Sequence, residues 1–170
     1  DDTTVFVVSD HGATDTGAHG TDITSVRRTP LFAFGPGIAS NRDNLRFEQV
    51  DLAPTMAAVL GIAGPAHGRG TVASELLAVS PDRAADIRCA DVARLPNLAK
   101  AEGRPDVALA LESMLQPCTN GSTEERNTAG LAAARHYDAE VDRGQDDSSR
   151  TVMLFAALVL VLLMLSVTPL

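Results

Sequence analysis

Apolar positions along the chain fall into three patterns. Thr3 to Ser9 is a short run with Val5-Phe6-Val7-Val8 at its centre, and Leu31-Phe32-Ala33-Phe34 is a second, closed by Gly35-Pro36-Gly37. Short apolar runs bounded by turn residues predict strands, and Pro30 suits the first residue of the second one. A helical pattern follows. The spacing of Leu52, Met56, Val59 and Leu60 predicts a helix over Pro54 to Leu60, with Asp51 as N-cap, Pro54 in the first turn and Gly61 closing the end. Thr71 to Ala78 predicts one more short helix. From residue 79 to 150 the chain is polar and rich in Ala, Arg, Asp and Glu; Val107 to Leu115 and Thr128 to Val141 predict amphipathic helices joined by Pro117 to Asn127. Asp142 to Arg150 reads as a charged, disordered linker. The third pattern is unbroken: Val152 to Val167 is apolar or small throughout and uncharged. A core helix normally keeps a polar face, so this stretch predicts a transmembrane helix, slightly short of the roughly 20 residues a bilayer needs.

The expectation is therefore an α/β unit over residues 1–78, built on a partial sheet with flanking helices. A helical connector and linker over 79–150 and a truncated membrane span over 151–170 follow. The first residue is Asp, and the first strand would need neighbours to cover both faces; we expect a piece of a longer protein.

Candidate chemistry sits where the first strand ends. Ser9-Asp10-His11-Gly12 follows the apolar run directly, and a second pair, His19-Gly20, closes the Gly-punctuated loop after it. In open α/β sheets ligands bind outside the carboxyl ends of strands, and carboxylate oxygen with imidazole nitrogen suits zinc. Asp10 and His11 give two ligands to one ion; His19 can serve that ion or a second. Two ions about 3.5–4 Å apart stabilise both attacking and leaving oxygens in phosphoryl transfer. Asp15 and Thr16 are candidates to orient the ligands, since a ligating imidazole usually donates its other N–H to an acceptor. A metal-free His-Asp acid/base pair is the poorer alternative. No Ser, Cys or Thr nucleophile is identifiable from spacing. His67, in Ala66-His67-Gly68-Arg69-Gly70, has no acid beside it and reads as part of a turn.

Composition narrows the partners. The 170 residues carry a formal net charge of −8, which leaves no basic patch to neutralise phosphates and sets nucleic acid aside. Two cysteines, Cys89 and Cys118, are too few for a disulfide scaffold; they can pair once or stay separate. Asn120-Gly121-Ser122 is an N-glycosylation acceptor pattern in a turn-forming stretch. With the apolar segment after it, the pattern favours a lumenal or extracellular location.

Ser9-Asp10-His11-Gly12 followed by Thr14-Asp15-Thr16-Gly17-Ala18-His19-Gly20 resembles the alkaline phosphatase superfamily, and specifically the GPI ethanolamine phosphate transferases. Thr29-Pro30-Leu31 stands where that family has a T-P-L strand, and Gly35-Pro36-Gly37-Ile38 is similar to its W-G-A-G-I. Gln49-Val50-Asp51-Leu52-Ala53-Pro54-Thr55-Met56 resembles its Q-x-D-I-A-P-L-M, and Leu60-Gly61-Ile62 its turn after the helix. Ala13 departs from the family's Met, and His67-Gly68-Arg69-Gly70 aligns with a N/D-S-V-G turn. The resemblance covers roughly residues 3 to 78 and implies the C-terminal part of an alkaline-phosphatase-like catalytic domain. It further implies two zinc ions, with Asp10 and His11 on one and His19 on the other, in an enzyme of the endoplasmic reticulum membrane whose catalytic part is lumenal. Such an enzyme moves phosphoethanolamine from phosphatidylethanolamine to a mannose of the GPI precursor, and a small membrane-protein subunit is a further partner the resemblance allows. The nucleophile and remaining ligands are expected upstream, so these residues alone are expected to be inactive. A membrane-attached phosphodiesterase or sulfatase of the same superfamily, or an inactive fragment, are the alternatives.

Overall fold

The structure, a computed structural model, describes residues 2–20, 23–40, 45–46 and 48–166, with 157–166 described as backbone only. The two apolar runs form β1 (Val5–Val8) and β2 (Leu31–Phe34), paired antiparallel with Val5 opposite Phe34 and Val8 opposite Leu31. Between them lies the short helix α1 (Thr24–Arg27), which buries Val26. Among the described residues the sheet has these two strands and no more. The expected buried strand in a layered α/β unit is instead half of a ribbon. Val7 is 52% and Phe32 62% exposed. β-branched runs encode the extended backbone, whereas burial requires a second layer, and a two-stranded ribbon lacks one.

The expected helix at Pro54 is present as α2 (Leu52–Val59), entered through a 3₁₀ turn at Gln49–Asp51. Asp51 stands at the N-cap position without capping α2. Its carboxylate accepts from the backbone N–H of Glu48 (3.1 Å) and of Thr71 (2.7 Å), tying the turn to a segment far along the chain. Gly61, with φ 70°, ends the helix in the left-handed region that favours glycine. Of the short helix expected over Thr71 to Ala78 only a 3₁₀ turn, Ser74–Leu76, forms.

Residues 79–150 are mainly helical, as expected, and the difference is in packing. The expected polar connector contains the best-packed part of the molecule, made by α3 (Pro81–Val92), α4 (Leu95–Ala101), α5 (Pro105–Met114), α6 (Pro117–Asn120) and α7 (Thr123–Ser166). The expected helices over 107–115 and 128–141 fall on α5 and α7. Ser80 caps α3 by accepting from Arg83 N–H, Pro81 occupies N1 and Asp82 the first turn. α7 begins earlier than the expected Thr128. Ser122 and Glu125 exchange hydrogen bonds, Ser122 N–H to Glu125 Oε2 at 2.8 Å and Glu125 N–H to Ser122 Oγ at 3.3 Å, a reciprocal cap that starts the helix at Thr123. Val92, Leu95, Leu111 and Ala133 are fully buried between α3, α4, α5 and α7, with Tyr137 beside them donating its hydroxyl to Glu102 at 2.9 Å. Burial and that carboxylate push the Tyr137 phenol well above its ordinary range.

Cys89 and Cys118 form a disulfide, Cα–Cα 5.6 Å, that fastens α6 to α3. Closing a loop of this size constrains the unfolded chain by roughly 2–4 kcal/mol. Reduction is accordingly expected to lower the thermal midpoint by several degrees, measured by circular dichroism with and without a phosphine reductant.

Among the described residues no helix is long and apolar enough to cross a membrane. Asp142 to Arg150, expected as a disordered linker, is helical and continuous with α7, and Val152 to Phe155 stand exposed on it. The expected membrane span falls largely on side chains 157–170, which lie outside the described residues.

Candidate metal centre at the end of the first strand

β1 delivers Ser9, Asp10 and His11 just past its last ladder pair, Val8 opposite Leu31. Three hydrogen bonds then turn the chain. Ser9 Oγ donates to His11 O (2.7 Å), His11 N–H to Asp10 Oδ1 (3.0 Å), and Gly12 N–H to Val26 O (2.7 Å). Gly12 is required at this contact with α1, because a Cβ there would collide with the backbone carbonyl of Ser25. The loop returns through Thr14, whose Oγ1 accepts from Ala18 N–H at 3.0 Å. That return brings His19 onto His11, ring centroids 4.6 Å apart and planes 19° from parallel.

His11 Nδ1 lies 2.8 Å from the carbonyl of Gly12. A proton on Nδ1 satisfies that contact and leaves Nε2 as the lone-pair nitrogen, the arrangement usual for a metal-bound imidazole. His11 Nε2 is 3.7 Å from Asp10 Oδ2. Two ligands of one tetrahedral zinc at ordinary bond lengths lie about 3.4 Å apart, so this pair is close to the spacing of a shared ion. The two imidazoles are arranged differently. Lone pairs lie in the ring planes, and stacked, nearly parallel rings direct them to separate points. The donor types, one carboxylate and two imidazoles, are ones that zinc accepts. Asp10 and His11 keep 87% and 44% of their side-chain surface open. Among the described residues no group of three or more His, Cys, Asp or Glu side chains converges.

The other candidates are placed as follows. Thr16 Oγ1 meets Thr14 Oγ1 at 3.0 Å, and Asp15 is exposed in the same turn. Among the described residues neither bonds an imidazole; the backbone carbonyl of Gly12 takes that role for His11. His67 sits exposed in a turn closed by Gly68 N–H to Pro65 O at 3.2 Å. Asn120 is exposed at the end of α6.

One residue at the site was not anticipated from the sequence. The side-chain amide of Gln49 donates to Ser9 O at 2.7 Å and to Asp10 O at 2.8 Å. Gln49 also borders an open groove of about 1060 Å³ lined by Phe32, Phe34, Arg28 and Arg46. A smaller cavity of about 340 Å³ is lined by Glu48, Asp51, Thr71, Arg88 and, from α7, Asp138. Burial pushes the Asp51 carboxyl up, opposed by its hydrogen bonds from the Thr71 and Glu48 amides.

Asp138 is raised further, from 3.8 to about 6, by burial and then by the nearby carboxylates of Glu48 and Asp51, against the Arg69 cation. The sign is opposite to that of a salt-bridged acid. Below about pH 4 the group is protonated in both folded and unfolded chains; as pH rises through 6 the folded state must ionise a disfavoured carboxyl, and stability falls. Asp138→Asn is therefore expected to raise the thermal midpoint at about pH 7.5 and to leave it unchanged near pH 4, read from melts across that range.

Curated relatives resemble part of the chain. Phosphopentomutase of Allorhizobium ampelinum is 44% identical over 64 residues, covering 38% of this chain and 15% of its own length. GPI ethanolamine phosphate transferase 1 of Gibberella zeae is 32% identical over 103 aligned residues, covering 47% of this chain and 10% of its own. Phosphopentomutase of Agrobacterium fabrum is 39% identical over 67 residues, covering 39% and 16%. The chain is similar in part to enzymes that move phosphate-bearing groups. It spans between 10% and 16% of the length of these relatives. No family model matches it, and no solved structure does.

Proposed function

We propose that residues 1–78 belong to the catalytic part of a two-zinc phosphoryl-transfer enzyme of the alkaline phosphatase superfamily, and that the complete protein is a GPI ethanolamine phosphate transferase. The observation that carries the metal reading is the stacked His11–His19 pair beside Asp10 at the strand end. Asp10 and His11 would hold one ion and His19 the other, with the remaining ligands and the nucleophile supplied by other parts of the complete protein. Zinc there supplies Lewis-acid stabilisation of phosphate oxygens. The chain's own contribution is placement: Gly12 O fixes the His11 ring, the Thr14 turn folds His19 back, and the strand end faces solvent where a phosphate ester can approach.

The transferase reading rests on the order of the Asp-His-Gly, Thr-Pro-Leu and Asp-Leu-Ala-Pro segments and on the relative from Gibberella zeae. The groove beside the strand end supports an amphiphilic donor such as phosphatidylethanolamine, since it sets the Arg28 and Arg46 cations beside exposed Phe32 and Phe34. A mannose of the GPI precursor is the acceptor. The apolar segment 151–170 anchors the protein in the endoplasmic reticulum membrane with the site and Asn120 on the lumenal side, where Asn120 carries glycan. The Cys89–Cys118 disulfide agrees with an oxidising compartment.

The higher identity of the two phosphopentomutases favours a second reading, a phosphomutase acting on a sugar phosphate. The complete protein assayed with labelled phosphatidylethanolamine and GPI precursor, and separately with a pentose phosphate, separates the two. Transfer to the glycolipid supports the transferase, isomerisation of the sugar phosphate supports the mutase, and turnover of neither overturns both.

A further inference from the structure

The β1–β2 ladder stops at Val8, so the carbonyls of Ser9 and Asp10 have no strand partner. Both are bonded by one side chain from a position far along the chain, the Gln49 amide, at 2.7 and 2.8 Å. A primary amide has two N–H donors, and this contact uses both. Gln49 is itself held. It lies in the 3₁₀ turn whose ends, Glu48 and Asp51, cap each other, and Asp51 is tied to Thr71.

The two carbonyls belong to the peptide planes on either side of Asp10. Fixing both planes fixes φ and ψ of Asp10, and hence the direction of its Cα–Cβ bond, the base from which its carboxylate reaches toward the imidazole of His11. Resting on the metal reading above, we propose that Gln49 is a positioning residue that sets the Asp10 peptide planes so that Asp10 and His11 can share one metal ion. The carbonyls are exposed, so water replaces the amide when it is lost and the fold loses little. The lost precision falls on the ligands, where removal of an orienting partner typically weakens metal binding about 10- to 100-fold.

The test compares the complete protein as wild type, Gln49→Met, Gln49→Glu and the control Thr4→Val. The control removes the hydrogen bond from Thr4 to Pro36 O at the opposite end of the same hairpin. Zinc affinity is measured by competition with a chromophoric chelator, and the imidazole signals of His11 and His19 by NMR on metal-free protein. Gln49→Met is expected to bind zinc about 10- to 100-fold more weakly. Gln49→Glu is expected to bind more weakly still, because its carboxylate faces two carbonyl oxygens. Both variants should shift the His11 signals while keeping a near-wild-type melting temperature; Thr4→Val should change neither zinc affinity nor those signals. Zinc affinity in Gln49→Met equal to wild type overturns the proposal. A complete wild-type protein that binds no zinc overturns the metal reading itself. The proposal is overturned independently if the His11 signals of metal-free Gln49→Met coincide with wild type.

Discussion

Replacing His11 by Ala in the complete protein is expected to lower zinc content by one ion and phosphoryl-transfer activity by at least about 100-fold, since loss of a ligand exceeds loss of its orienting partner. His19→Ala is expected to do the same through the other ion. The two variants should differ in what remains. His11→Ala leaves Asp10 without the imidazole 3.7 Å away but leaves the Thr14 turn and His19 intact. His19→Ala removes the stacked ring while Asp10 and His11 keep their mutual spacing. If the rings serve separate ions, each variant retains one tightly held zinc by metal analysis. Retention of two ions, or turnover near wild type in either variant, would sink the assignment.

The second large effect concerns the join between the site-bearing segment and the helices. Arg88 on α3 has a side chain only 4% exposed and gives hydrogen bonds to Ser74 Oγ (2.5 Å), Glu75 Oε1 (2.6 Å) and Asn127 Oδ1 (2.6 Å). It thereby links the 3₁₀ turn at Ser74–Leu76 to α7. Gly130 makes room for it, since a Cβ there would lie 2.8 Å from Arg88 Cγ. Arg88→Ala leaves Ser74, Glu75 and Asn127 without their donor and opens a cavity. Glu75 is half exposed and turns to water, but Ser74 is buried; a buried acceptor left unpaired costs roughly 1–3 kcal/mol, which for a chain of this size lowers the thermal midpoint by several degrees. A melt within about 2 °C of wild type would show that the arginine is dispensable to the join.

The strands were legible because β-branched runs encode extended backbone directly, and α2 because its apolar spacing and Gly61 agree. The burial of β1 was not, since a run of valines carries no information about how many layers surround it. α3 escaped the apolar pattern because one of its buried positions is Arg88, a residue that reads as surface in any hydrophobic count. Its start was nonetheless written in Ser80-Pro81-Asp82, and that of α7 in the Ser122 to Glu125 cap. At the site, Asp10, His11 and His19 could be read from residue type and position after a strand. Gln49 stood in a segment with a family resemblance, but its contact with Asp10 could not be read, because that depends on where a distant turn lies in space.

The central claim is that the end of β1 holds two metal ions on separate imidazoles. Anomalous diffraction at the zinc edge from crystals of the complete, zinc-loaded protein tests it most directly. Two peaks are expected, one bonded to Asp10 and His11 and the other to His19. A single peak bonded to both imidazoles, or no peak at these residues, would contradict the account.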